Sequence, residues 1–285
     1  MKIIHKVEEC LVYESNKHSY ASVSSLASSE LQIKTFLLKL TSSSRPEYAV
    51  ALMSTLSKSV KHLHLHNYTL NSIKFKALKT IPLKTFIEHL HSSSSMVGMA
   101  YTLTLKLLAD IGTQLEHIRM ERGLLVPFLS LEDIVVIETV ASKNRHGEQS
   151  EKKEEEHDNP LVEIESQADS QSEYTFIFMN AEKLMQEPLK DNLIVDVPLK
   201  VNKHTSFLPL ELPESALKRL PMRVTTTSWQ YSLSALCIYA LLQHKFKNGE
   251  DDIERIGRPF LHTSLYFCLK RCLKSNAEER VLLYV

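Results

Sequence analysis

QLEHIRMERGLLVPFLSLEDIVVI, residues 114–137, joins the longest helical pattern of the chain to its most strand-like run. Upstream, Leu103, Leu107, Ile111, Leu115 and Ile118 recur at helical spacing, which predicts a buried helix of about five to six turns. Gly123 is placed to end that helix. Leu124, Leu125 and Val126 follow, then Pro127, which continues neither a helix nor a central strand. Ile134, Val135, Val136 and Ile137 form a β-branched run suited to a buried strand.

Composition narrows the class. At 285 residues and 32.6 kDa the chain is long enough for one large domain or two lobes, and 43% hydrophobic residues fit a globular protein. Lys+Arg and Asp+Glu both number 34, so no global basic field exists to hold nucleic acid or an anionic membrane, and neither is expected as a partner. The longest mainly apolar segment, residues 231–242, falls well short of the ~20 residues that span a bilayer. The N-terminus MKIIHKVEEC has no signal-peptide apolar region, which predicts an intracellular, cytoplasmic protein. Cys10, Cys237, Cys268 and Cys272 lack zinc-ribbon spacing and read as buried thiols.

Outward from the central stretch, residues 2–40 carry strand-like runs at Cys10 to Tyr13, Tyr20 to Val23 and Thr35 to Leu40, separated by serine-rich turns. Ala49, Leu52, Met53, Leu56 and Val60 line one face of a helix with Pro46 in its first turn. His62, His64 and His66 alternate strictly; on a strand they share one face about 6.6 Å apart, a spacing at which histidines can hold zinc. No further ligand is marked and a polar strand face explains the pattern equally, so no metal is assigned. Ile73 to Leu78 reads as another strand. Residues 142–173 hold ten Asp/Glu against four Lys/Arg with no hydrophobic period, which predicts a disordered acidic insertion. Tyr174 to Met179 is then a strand expected to pair with Ile134 to Ile137.

This order of parts resembles the protein kinases, whose catalytic loop follows a long helix and reads G-I-V-H-R-D-L-K-P-E-N-I-L. Gly123, Leu124, Leu125, Leu129, Glu132, Ile134 and Val135 take its framework positions, with Leu115 and Ile118 in the preceding helix. The resemblance implies an α+β, two-lobed fold, with a small β-rich N-lobe over residues 1–80 and a larger helical C-lobe over residues 81–285. It puts the family's His-Arg-Asp on Val126, Pro127 and Phe128, so a phenyl ring replaces the carboxylate that accepts the substrate proton. The first glycine of the chain is Gly98, so the glycine-rich loop that covers ATP phosphates has no counterpart. Phe36-Leu37-Leu38-Lys39 resembles the strand that carries the phosphate lysine, and Lys39 precedes Phe128 by 89 residues. The one acid of the following helix, Glu47, sits at its very start, so the lysine's usual glutamate partner is expected to be missing. Ile81-Pro82-Leu83 resembles the hinge between the lobes.

The family's two metal-binding positions fall on Asp133 and on Asn180, which opens Asn180-Ala181-Glu182 where the pattern has Asp-Phe-Gly. Ser228-Trp229-Gln230-Tyr231 tracks a core helix motif, with Trp229 in place of the aspartate that braces the catalytic loop. Glu211 falls on the glutamate of Ala-Pro-Glu and Arg280 on the closing arginine, which implies a bidentate ion pair between them. The leading expectation is a pseudokinase acting as a binding scaffold or allosteric regulator, with no cofactor and with the acidic insertion as a tether for a basic protein partner. The alternative is an atypical kinase that binds ATP and magnesium through Lys39, Asp133 and Asn180, with Glu182 supplying the acid.

Overall fold

The computed structural model describes residues 2–7, 10–14, 33–40, 45–59, 65–69, 72–93, 98–140, 172–187, 192–195, 198–213, 215, 219–247 and 250–282. Expectations for residues 20–23, for His62 and His64, and for most of the acidic insertion lie outside them. At the end of that insertion Ser172 and Glu173 belong to a strand, so the predicted disorder does not extend to residue 173.

Strands β1 (Lys2–Val7), β2 (Cys10–Glu14), β3 (Lys34–Leu40), β4 (Leu65–Thr69) and β5 (Ser72–Ala77) form an antiparallel sheet in the order β1-β2-β3-β5-β4. The two-residue period of a strand sets its faces. In β5, Ile73, Phe75 and Ala77 are buried while Lys74 and Lys76 are exposed, and in β3 Phe36 and Leu38 take the buried side. Phe36 and Phe75 are register partners, and their rings stack with centroids 5.7 Å apart. Helix α1 (Pro46–Ser59) turns Ala49, Leu52, Met53 and Leu56 inward, as its 3.6-residue period requires. At its start the Arg45 guanidinium donates to the Leu184 carbonyl at 3.2 Å, and near its end Lys58 meets Glu121 at 2.8 Å.

Strand β6 (Lys79–Pro82) leads into helix α2 (Leu83–Ser92) and pairs antiparallel with β9 (Ile134–Val140), which pairs on its other side with β10 (Ser172–Phe178). The register sets Ile134 opposite Phe178 and Ile137 opposite Thr175, so the two predicted strands do form a hairpin. Because β6 spans residues 79–82, the expected boundary between residues 80 and 81 falls inside a strand bonded to the larger part.

Helix α3 (Ala100–Arg122) buries Leu103, Leu107, Ile111, Leu115 and Ile118 and stops at Gly123. There φ is 60°, the left-handed conformation that glycine adopts without strain, and a Cβ would stand 3.1 Å from the Gln186 side chain. The same helix secures the free edge of β10. Asp110 accepts from the Phe176 amide at 3.0 Å, while Gln114 donates to the Phe176 carbonyl at 2.6 Å and accepts from the Phe178 amide at 3.0 Å. One turn apart on the helix, these two side chains satisfy backbone groups that no strand among the described residues reaches.

Helix α4 (Ser228–Leu242) is the central post of the larger part and is buried nearly all round, including Trp229, Leu233, Leu236 and Ile238. A short helix α5 (Ile253–Ile256) and helix α6 (Ser264–Cys272) follow it. Cys237, Cys268 and Cys272 are buried, and burial pushes the Cys237 thiol well above its usual range. Among the described residues no helix is long and apolar enough to cross a membrane.

Candidate functional site

The segment between α3 and β9 is held by its two ends. Strand β7 (Leu124–Leu125) pairs with β11 (Met185–Gln186), and β8 (Leu129–Ser130) pairs with β13 (Ser206–Phe207). Val126, Pro127 and Phe128 span the gap between β7 and β8 and are all buried, with Phe128 0% exposed. A ring so enclosed neither takes a proton nor meets a substrate.

A buried polar cluster packs against that ring. After β8 a single 3-10 turn, Leu131–Asp133, is closed by its own ends, because the Ser130 amide donates to Asp133 Oδ2 at 2.7 Å. After β10 a second such turn, Ala181–Lys183, is capped by Asn180, whose Oδ1 accepts from the Glu182 amide at 3.1 Å. The two turns face one another. Asn180 Nδ2 donates to Asp133 Oδ1 at 2.8 Å, and the Met179 amide donates to the Asp133 carbonyl at 2.8 Å.

Lys183 completes the cluster. Its Nζ stands 2.6 Å from Asp133 Oδ2 and 2.7 Å from Ser130 Oγ, with 5% of the lysine side chain and 2% of the aspartate exposed. It also lies 4.1 Å from the centroid of the Phe128 ring, whose face attracts a cation. Ser130 Oγ in turn meets Ser206 Oγ at 2.8 Å. Both oxygens of Asp133 are therefore engaged by protein donors, and the ammonium is surrounded by a carboxylate, a hydroxyl and an aromatic face.

Of the site residues read from the sequence, the structure brings Phe128, Asp133 and Asn180 together and leaves Lys39 apart. Since Phe36 and Leu38 take the buried face of β3, alternation puts Lys39 on the opposite face, where it is exposed. The lysine at the cluster is Lys183, fifty residues from Asp133 in the chain. Glu182 is half-buried beside Asn180. Among the described residues no group of three or more metal-binding side chains is found.

The brace from the central helix also differs from the expected residue. Trp229 is buried, and the polar contact comes from Ser232, one turn later. Its hydroxyl accepts from the Leu129 amide at 2.6 Å and donates to the Phe207 carbonyl at 2.5 Å, tying α4 to both β8 and β13. The sequence marks Ser232 no differently from Ser228 and Ser234 of the same helix, and its partners are 25 and 103 residues away.

Glu211 and Arg280 meet under this assembly. Arg280 Nη1 donates to Glu211 Oε1 at 2.5 Å and Nη2 to Oε2 at 3.0 Å, with the arginine side chain 0% exposed and the glutamate 20%. Arg280 Nε also donates to the Lys274 carbonyl at 2.8 Å, and the guanidinium lies 5.0 Å from the Tyr231 ring centroid. Burial pushes the Glu211 carboxyl up, but Arg280, the backbone and the Ser228 hydroxyl hold it below its usual range.

No protein-family model matches the chain, and no curated protein matches it. Among solved structures it is similar to the kinase domain of a Toxoplasma gondii specific rhoptry antigen, at 14% identity over 99% of this chain and 76% of that one, with a TM-score of 0.50. A rhoptry kinase from the same organism matches at 14% identity over 98% of this chain and 73% of that one, with a TM-score of 0.49. The Mycobacterium tuberculosis PknI kinase domain, in a double-mutant form, matches at 12% identity over 98% of this chain and 88% of that one, with a TM-score of 0.44. The chain has a protein-kinase-like fold, with a β-rich part and a larger helical part. At such low identity the likeness concerns the fold alone.

Proposed function

We propose that this chain is a kinase-fold binding protein without phosphotransfer activity, a pseudokinase that serves as a scaffold or allosteric partner. The observation that carries this reading is the position of the Lys183 ammonium, buried between Asp133, Ser130 and the Phe128 ring. Phosphoryl transfer on this fold needs a base at the position of Phe128 and a divalent ion held by the residues at positions 133 and 180. Phe128 accepts no proton. A magnesium ion at Asp133 would have to displace an ammonium that is enclosed by protein on all sides. Two unit charges about 4 Å apart repel by about 4 kcal/mol at an effective dielectric constant of about 20, and a dication doubles that. These residues do not fit a magnesium nucleotide, so we assign no cofactor.

In this reading the helical part and its braces are kept as a binding surface. The acidic insertion, residues 142–173, is a tether for a basic partner, and the protein acts inside the cell. The test is labelled-phosphate transfer combined with thermal melting in ATP, with and without magnesium. The expected result is no incorporation and no magnesium-dependent rise in Tm, since a ligand that binds the native state raises Tm by mass action. Incorporation that is lost on Asp133→Ala or Asn180→Ala overturns the reading in favour of an atypical kinase.

A further inference from the structure

The solvent face of the five-stranded sheet carries charge that its surroundings do not match. The strands hold six lysines, two each in β1, β3 and β5, and one acid, Glu14 in β2, which the register sets opposite the inward Phe36. Alternation puts Lys39, Lys74 and Lys76 on the face away from Phe36, Leu38, Ile73 and Phe75, and all three are exposed. The register places Lys76 opposite Thr35, Lys74 opposite Leu37 and Lys39 opposite Ser72. Neighbouring lysine positions, along a strand or diagonally across two, stand about 7 Å apart, inside a Debye length of about 8 Å, so their charges repel. Among the described residues none of the three meets a carboxylate. Exposed lysines of the helical part are matched instead, Lys270 by Glu254 and Lys274 by Glu279, each at 2.6 Å.

Protection of a sheet edge does not explain these lysines. Lysine commonly blunts an outer strand, but β3 lies between β2 and β5, and β5 between β3 and β4. The same face also shows aliphatic groups to water. Ile3 of β1 is 53% exposed, and its register row runs through Tyr13 and Leu37 to Lys74; Ile33, just before β3, is 59% exposed. Because β3 and β5 are paired on both sides, an added strand finds no backbone groups to bond there. A partner must meet side-chain tips spread over a broad face, with negative charge for the lysines and an apolar layer for the isoleucines. We infer that this face rests on an anionic phospholipid membrane, with Lys39, Lys74 and Lys76 at the headgroups and Ile3 and Ile33 reaching the acyl boundary. Equal totals of acidic and basic residues exclude a basic field over the whole chain and leave this local one in place. The inference goes beyond the scaffold reading and holds whether or not the chain transfers phosphate.

The test is co-sedimentation of the full chain, without nucleotide, with phosphatidylcholine vesicles that contain or lack about 30% phosphatidylserine. Binding is expected to the anionic vesicles alone, and it should weaken as salt rises from about 50 to about 300 mM. Lys74→Gln with Lys76→Gln should weaken it about 25-fold, since each lysine near an anionic surface contributes about fivefold, or about 1 kcal/mol. Ile3→Ser should cost about fivefold, because the isoleucine leaves water on docking. Two controls repeat this chemistry elsewhere. Lys270→Gln with Lys274→Gln removes the same charge from paired lysines, and Ile194→Ser removes an isoleucine that is 49% exposed on β12 (Asn192–Val195). Both should bind as the wild type does. Every substituted position is exposed, so Tm should not change in any variant.

No binding to the anionic vesicles at about 50 mM salt, or equal losses in the face and control variants, overturns the inference. Binding that appears only after residues 142–171 are removed also overturns it, because the chain's own acidic stretch is then the occupant. A loss in the lysine variant with none in Ile3→Ser does the same, since a soluble polyanion then accounts for the face without a membrane. Vesicle binding and phosphotransfer are read separately. A chain that transfers phosphate refutes the pseudokinase reading, whereas a chain that ignores the vesicles refutes only the membrane face.

Discussion

Asp133 with Lys183 and Glu211 with Arg280 are two buried ion pairs in one helical part, and they are built differently. Arg280 offers a planar fork that grips both oxygens of Glu211 across 69 residues of chain, and it has the Lys274 carbonyl and the Tyr231 ring besides. Lys183 is a compact point charge with one carboxylate oxygen, one hydroxyl and one aromatic face. The first pair joins a loop to the C-terminal end and needs no chemistry nearby to be useful. The second stands beside Phe128 and ties up the carboxylate that the kinase resemblance assigns to a metal. On the proposed reading, the mechanical brace is kept while the positions that the resemblance assigns to chemistry are occupied by groups that satisfy one another.

The largest effect that probes this contrast is expected from Asp133→Ala. It strands the Lys183 ammonium and removes the acceptor of both the Ser130 amide and the Asn180 amide group, at a cost of about 3–5 kcal/mol measured by urea unfolding. Asp133→Leu combined with Lys183→Met should recover only the part due to the stranded ammonium, because the Ser130 and Asn180 donors stay without their acceptor. If the double variant is as unstable as the single one, the cluster is a structural brace like the other pair and the contrast fails.

Glu211→Ala comes next, at about 3 kcal/mol, the lower end of the range, since Arg280 keeps the Lys274 carbonyl and Glu211 is partly exposed. Its pH dependence has a definite sign. The folded Glu211 carboxyl lies below its ordinary value of 4.5, so its stabilisation is fully present above that value and is lost as pH falls through the folded value. Between about pH 6 and pH 3, wild-type Tm should fall further than that of Glu211→Gln. Equal falls would remove Glu211 from the acid transition.

Ser232→Ala is expected to have the smallest effect, about 1–3 kcal/mol, from leaving the buried Leu129 amide without an acceptor. Its readout is local as well as global. Amide exchange at Leu129 and at the strand partners Ser206 and Phe207 should rise more than at β9 and β10. Uniform acceleration would mean that α4 does not brace this segment in particular.

The local signals in the sequence carried most of the architecture. The 3.6-residue stripe of α3, its glycine stop and the β-branched run of β9 depend on neighbours a few residues away, and each formed where its pattern pointed. The pairing of β9 with β10 followed from two apolar strands on either side of the acidic stretch. Spacing against the kinase pattern brought Phe128, Asp133 and Asn180 to one place and named Glu211 and Arg280, which the structure joins. What the sequence did not reveal are contacts whose partners are distant in the chain and unremarkable in type. Lys39 matched a motif, yet strand alternation turns it outward, while Lys183 matched none and is drawn inward by Asp133, Ser130 and Phe128. Gln114 and Ser232 are each one of several polar residues on their helices, and only the packing of α3 on β10 and of α4 on β8 showed which backbone groups required them. A buried hydrogen bond is selected by the cost of leaving its partner unpaired, and that cost exists only once the chain has folded around it.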